Sequence, residues 1–346
     1  MTTPSGGPPL HVAMLVRAPR AYDYSIENVF ELVRDHLPAE VEPSWVHCPF
    51  PNVGVLPRVR SLLWAYRQRR SGADVFHVTG DANFLVLGLE GRKTVLTVHD
   101  CEFLTRAGAV KRWIFRWLWL RLPVRRARIV ITPTEEVRED VLRYARVDPD
   151  KVRVIHNPVN PVFAPSPPRA PSTPVVLQIG TRSNKNLERV VRALEGLPCR
   201  LVIVGQLSDA QRELLAACRV DHEERLGLTL EQMAACYRDC DLVTFVSTIE
   251  GFGLPIVEAQ ASGRPVVIGD RPPLPEVAGS AAIAVDPLDV AAIGTAVRRV
   301  LTDETLRARL IEDGVRNARR FDATSIAKSY AAAYARVLAP PSASAR

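Results

Sequence analysis

Leu242-Val-Thr-Phe-Val-Ser-Thr-Ile-Glu250-Gly-Phe-Gly-Leu-Pro-Ile-Val-Glu258-Ala-Gln260 is the stretch on which the fold turns. Its first five residues, Leu242 to Val246, are an apolar run of strand length. A polar loop follows, and Pro255 then opens a helix to Ser262. Proline suits a first helical turn, where its missing N–H has no partner to lose. Gly251 and Gly253 let the backbone come close to a ligand. The unpaired N–H groups and the helix dipole favour an anion at that end. Glu250 sits in the loop and Glu258 one turn inside the helix, both placed to accept hydrogen bonds from hydroxyl groups.

Working outward, the same strand-loop-helix unit recurs. Val175 to Ile179 reads as a strand, followed by Gly180-Thr-Arg-Ser-Asn-Lys185-Asn and a helix from Asn186 to Leu194. A glycine and two cations at such a corner suit a diphosphate. Arg182 can bind in bidentate fashion, and Lys185 acts as a point charge. Arg200 to Val204 and Pro265 to Ile268 are further strands. Helices are predicted over 209–218, 230–239, 289–302, 304–320 and 323–338, the last with Asp322 as N-cap.

The first half alternates in the same way. Strands are predicted at His11–Val16, Val75–Val78, Thr94–Val98 and Arg128–Thr132. Helices are predicted over Ile26–Leu37, over Leu62–Arg69 and after the N-cap Thr134. Strands separated by helices imply a parallel sheet covered on both faces. Seven prolines between Pro158 and Pro174 predict a stiff linker near mid-chain. The expected division is therefore 1–165, 166–322 and a C-terminal helix with tail, 323–346, packing back on the first domain. The fold class is α/β, with two doubly wound Rossmann-like domains facing a central cleft, and ligands are expected beyond the carboxyl ends of the strands.

Composition excludes several classes. With 47% hydrophobic and 24% charged residues, the chain is not disordered. No apolar run reaches the roughly 18–20 residues of a membrane span. Met1 to Leu10 lacks the basic start and apolar core of a signal peptide, so the expectation is cytoplasmic. Six scattered cysteines without a Cys-x-x-Cys pair read as buried thiols, and no metal site is expected. The net charge of +7 is concentrated. Phe103 to Thr134 holds eight basic residues and no acid, which leaves the rest of the chain at −1.

The motif and its flanks resemble family 4 of the retaining glycosyltransferases, which have the GT-B fold. The family's E-x7-E pattern stands here as Glu250 and Glu258 within EGFGLPIVEAQASGRPVV. Pro272 to Gly279 (PPLPEVAG) follows at the usual distance, and VRVIHNPVN resembles the end of the family's first domain. The likeness is strong over residues 150–340 and weaker before. It implies that Glu258 holds the ribose, and that Glu250 and the amides of Gly251, Phe252, Gly253 and Leu254 contact the transferred sugar. It also implies that Gly180, Thr181, Arg182 and Lys185 hold the diphosphate. The donor would be a UDP- or GDP-sugar acting as co-substrate, with no cofactor and no metal. The acceptor would be a glycan, a lipid-linked sugar or a small molecule, bound by the first domain.

His99 ends a predicted strand where the family often has a histidine facing the reacting sugar; a core histidine is the competing reading. His77 and Gly80-Asp81 are weaker candidates. Two departures stand out. The family's glycine pair after the first strand is replaced by Arg17-Ala-Pro-Arg-Ala-Tyr22, and Gly180-Thr181 stands where Gly-Arg is usual. Residues 106–128 combine Trp113, Phe115, Trp117 and Trp119 with cations, the composition of a membrane-surface helix. Their apolar positions run too far round for a simple stripe, so part must be core. Contact with anionic membrane, at the inner face of the plasma membrane, is the functional alternative; nucleic acid is not expected. The competing activities are a sugar-nucleotide epimerase, a phosphorylase or a silent nucleotide-sugar binder. A dehydrogenase is disfavoured because no Gly-x-Gly-x-x-Gly follows the first strand.

Overall fold

A computed structural model describes residues 8–17, 25–51, 53–104, 113–167 and 173–339. The N-terminal lead before residue 8, residues 18–22 of the loop after the first strand, residues 106–112, Pro168, Pro171 and the tail from 340 lie outside these. The chain forms two units, one of 1–158 with 323–346 and one of 159–322.

The first unit carries six strands: β1 Leu10–Val16, β2 Val41–His47, β3 Val75–Val78, β4 Thr94–Thr97, β5 Ile129–Thr132 and β6 Val152–Val154. They pair in parallel in the order β2-β1-β3-β4-β5-β6. The second unit carries β7 Val175–Ile179, β8 Arg200–Val204, β9 Asp221–Arg225, β10 Leu242–Phe245, β11 Val266–Gly269 and β12 Ile283–Val285. Its order is β12-β11-β10-β7-β8-β9, again all parallel. This is the doubly wound order in which the strand order reverses between the unit's first and fourth strands, here β7 and β10.

The inner strands are apolar because both faces are covered. All four residues of β3, β4, β5, β10 and β11 are buried. The edge strands differ. β9 reads Asp-His-Glu-Glu-Arg, and ion pairs hold its margin: Arg212 to Glu224 at 2.7 Å and Arg225 to Glu223 at 2.8 Å. Thr134 caps the helix Glu135–Ala145 by accepting from the Val137 amide.

The boundary falls at Pro158, seven residues before the predicted 165, and the proline-rich stretch is not a free linker along its length. The Val159 amide donates to Phe321 O, and Phe163 packs edge-to-face on Tyr237 at 5.4 Å. The buried Arg264 guanidinium needs acceptors, and Ser166 Oγ and Pro167 O supply two of them. Residues 159–167 are thereby bound to the second unit. The helix Ala323–Leu338 belongs to the first unit. Its Tyr330 and Tyr334 are buried against Phe30 and His77, with Tyr334 Oη 2.9 Å from His77 Nδ1.

Candidate functional site

In the second unit the loops after β7 and β10 flank the point where strand order reverses, the expected ligand position in such a sheet. Both are the loops singled out by sequence. The β7 loop turns at Gly180 in a left-handed conformation (φ +88°). A Cβ there would lie 2.9 Å from Lys185 Cγ, so any other residue would displace the lysine. Thr181 Oγ1 donates to Gln206 O at 2.7 Å, which ties the loop to the end of β8. Its carbonyl accepts from Gln211 Nε2.

Lys185 is the centre of the arrangement. Its Nζ is 2.6 Å from Glu250 Oε1 and 4.5 Å from the Phe245 ring centroid. Both partners of the pair are about one-seventh exposed, so the interaction is poorly screened. Asn184 reinforces the junction, donating from Nδ2 to Ile249 O at 3.2 Å. The Thr248 amide donates back to Asn184 O at 2.9 Å. Arg182, by contrast, is exposed.

The helix Leu254–Ala261 begins at Gly253 (φ +102°), and no side chain caps it. Its N-terminus therefore keeps its positive partial charge for a ligand. Phe252 is buried edge-to-face on Phe321 at 5.7 Å, so its side chain is core and only its backbone faces the loop's task. Glu258 is half-buried one turn into the helix. The Tyr237 hydroxyl donates to Glu258 Oε2 at 2.6 Å. Burial pushes the Glu258 carboxyl up to about 7, against the opposing effects of that hydrogen bond and of the Lys185 charge. Burial also raises the Tyr237 hydroxyl well above its usual range, which keeps it a neutral donor. Lys185 is thus paired to one carboxylate, Glu250, and its charge acts on a second, Glu258, which a tyrosine holds.

Three contributors were not picked out from sequence. Gln178, fully buried in β7, donates to Lys185 O at 3.0 Å and accepts from Thr244 Oγ1 at 2.9 Å, fixing the loop to β10. Asn186 (φ +59°) donates to Val246 O and Pro287 O. Tyr237 holds Glu258. The available signal was a polar residue inside an otherwise apolar strand, Gln178 in VVLQI and Thr244 in LVTF.

In the first unit, His99 follows β4, half-buried, with Nε2 2.7 Å from Thr79 O. A carbonyl only accepts, so Nε2 is the donor in this contact. His99 lines a recess and is not a core histidine. The core histidine is His77, fully buried between Tyr334 and Thr97, with its pKa lowered to about 3 by burial. Arg17, in place of the family's glycines, is buried and pairs with Glu27 at 2.9 Å and with Asp81, joining the ends of β1 and β3.

The basic segment divides as its composition requires. Phe115, Trp119, Leu120 and Val124 pack on the first unit's core, while Trp113 (63% exposed), Ile114, Leu118 and Leu122 face outward. No helix among the described residues is long and apolar enough to cross a membrane. The six cysteines are free and buried. Cys236 Sγ accepts from Arg225, and Cys240 Sγ donates to Tyr237 O.

Two family models match consecutive parts of the chain: Glycosyltransferase Family 4 over residues 5–163 and Glycosyl transferases group 1 over residues 163–316. Among known proteins, the chain is 25% identical over 232 residues to the O-antigen chain mannosyltransferase RfbU of Salmonella typhimurium, covering 60% of this chain and 61% of that one. It is 26% identical over 287 residues to the O-antigen chain mannosyltransferase B of Escherichia coli, covering 76% and 74%. Among solved structures, a glycosyltransferase from Rickettsia africae superposes with a TM-score of 0.74 at 16% identity, over 95% of this chain and 99% of that one. Anabaena HepE in complex with UDP and glucose gives 0.72 at 15%, over 94% and 100%. At such identity the structural likeness speaks for the fold, the GT-B class expected from sequence.

Proposed function

Since the chain belongs to the group 1 glycosyltransferases of family 4, we propose that it moves a sugar from a UDP- or GDP-sugar to a hydroxyl of a glycan, glycolipid or small-molecule acceptor, with retention and without a metal. The observation that carries this reading is Lys185 held by Glu250 in the loop that precedes an uncapped helix N-terminus, with Glu258 one turn into that helix. Glu258 takes the ribose hydroxyls. Glu250 and the amides of Gly251 to Leu254 take the sugar. Lys185, with Arg182, neutralises the charge that develops on the departing diphosphate. As the bond from C1 to the phosphate oxygen breaks, the acceptor oxygen bonds to C1 on the same face. Its proton passes to the leaving phosphate. His99 contacts the reacting sugar in this scheme.

The test is a thermal-shift panel of UDP- and GDP-sugars, with and without EDTA, followed by mass spectrometry. One donor is expected to raise the Tm and to release free sugar slowly, equally in EDTA. Stabilisation without turnover marks a silent binder. An isomerised sugar marks an epimerase, and consumption of a sugar 1-phosphate marks a phosphorylase.

The reading includes peripheral contact with anionic membrane. Besides the outward residues of 113–122, the helix Val55–Gln68 exposes Leu56, Val59, Leu63 and Tyr66 at helical spacing. No acid occurs from Pro51 to Ala73, and Arg60, Arg67 and Arg70 are exposed. Arg58 stacks on Trp119 at 4.4 Å and joins the two stretches. Sedimentation with vesicles containing phosphatidylglycerol is expected, and loss of it with pure phosphatidylcholine or in high salt. Equal sedimentation with both lipids counts against contact directed at anionic membrane.

A further inference from the structure

Arg17 follows β1 directly and has no part in the transfer scheme. Its side chain is 2% exposed, yet it joins two carboxylates. Nε lies 2.9 Å from Glu27 Oε1, Nη2 lies 3.4 Å from Glu27 Oε2, and Nη1 pairs with Asp81 Oδ2. Stability alone does not account for such a buried cluster, since apolar side chains of similar volume often do as well. What the planar fork supplies is geometry, because it fixes the direction of each partner.

Both partners lead to His99. Asp81 stands in a left-handed conformation (φ +57°), directly after Gly80 (φ +136°), at the end of β3. An aspartate tolerates that backbone at some cost, and the ion pair to Arg17 holds it there. The imidazole lies against this turn. A Cβ on Gly80 would come within 2.3 Å of His99 Cδ2, and His99 Nε2 donates to Thr79 O at 2.7 Å. Glu27 is one turn before Phe30 in the helix Ser25–Asp35, and the Phe30 ring meets the His99 ring edge-on at 5.8 Å. Arg17 thus braces two of the surfaces on which the imidazole rests.

We propose that Arg17 is a positioning residue for the sugar transfer: by clamping Asp81 and Glu27 it holds the His99 imidazole in one orientation. The effect on turnover rests on the role given to His99 above; the clamp rests on the geometry of the first unit alone.

The experiment is heteronuclear NMR of the histidine rings of the full chain at a single pH, with steady-state kinetics beside it. Wild type is expected to show a slowly exchanging Nε2–H of His99, identified by its loss in His99→Gln. His77, buried between Tyr334 and Thr97, gives a second ring N–H and serves as the internal reference. Arg17→Gln is expected to remove the first signal, keep the second, and lower kcat about tenfold at unchanged donor KM. Arg17→Lys keeps the charge and recovers part of both losses. Gly80→Ala, which crowds the imidazole without removing an ion pair, reproduces them. In a His99→Gln background, Arg17→Gln lowers kcat no further. A folded Arg17→Gln chain that keeps the His99 signal, or loses both signals together, overturns the proposal. An added loss of kcat in the His99→Gln background does the same. If Arg17→Gln does not fold, Asp81→Asn is read by the same criteria. If His99→Gln turns over like wild type, the role of His99 in the transfer falls, and the two ring signals alone decide the clamp.

Discussion

Lys185→Ala is expected to lower kcat by about a hundred- to a thousandfold, the usual cost of removing one group that stabilises developing charge. The donor KM should change far less, because the gain in charge at the diphosphate arises in the transition state. Lys185 is the cation that the fold places with care. Gly180 leaves room for its side chain, Gln178 anchors its carbonyl, and Glu250 and the Phe245 ring hold its ammonium group. Arg182, one turn away and exposed, lacks such support. Steady-state kinetics with the donor found by thermal shift checks this. A variant within about tenfold of wild type would transfer the leaving-group role to Arg182. Glu250→Gln should act in the same direction, since it frees the ammonium group from its fixed geometry.

Glu258→Ala is expected to raise the donor KM by about ten- to a hundredfold with little change in kcat, as for loss of hydrogen bonds to a charged group that are present throughout the reaction. Unchanged donor binding by calorimetry would end the ribose assignment. The same residue predicts a pH dependence. Its carboxyl is raised to about 7 by burial, so the donor KM should rise as pH falls through about 7 and the carboxylate is lost. Tyr237→Phe removes a hydrogen bond that favours the carboxylate, so the rise should begin at higher pH; superimposable profiles would show that Tyr237 does not act on Glu258. The effect on stability has the opposite sense. Between about 4.5 and 7 the folded chain keeps a proton on Glu258 that the unfolded chain releases, so stability falls as pH rises through that window. Glu258→Gln should flatten this slope in Tm measured from pH 5 to 8.

The eight inner strands were all legible from sequence, and the four that were not, β2, β6, β9 and β12, are the four sheet edges. Inner strands are covered on both faces and must be apolar, so they announce themselves. An edge strand such as Asp221–Arg225 is held by backbone pairing to one neighbour and by ion pairs to Arg200 and Arg212, and nothing in its own composition signals a strand. The proline-rich stretch misled for a related reason. Its composition describes the stiffness of 159–167, whereas its attachment depends on Tyr237, Arg264 and Phe321, which come much later in the chain.

The segment Glu250 to Glu258 and the loop Gly180 to Lys185 were determined by the sequence alone, because glycines, a helix start and charged residues at fixed spacing act locally. Only the tertiary structure set them against each other. Lys185 and Glu250 are 65 residues apart, and they meet because β7 pairs with β10 rather than with a strand nearer in the chain. That pairing also brings Gln178 beside Thr244, and the helix packing that follows sets Tyr237 against Glu258. Which polar groups become partners depends on strand order and burial, and these are settled by which distant apolar faces pack together.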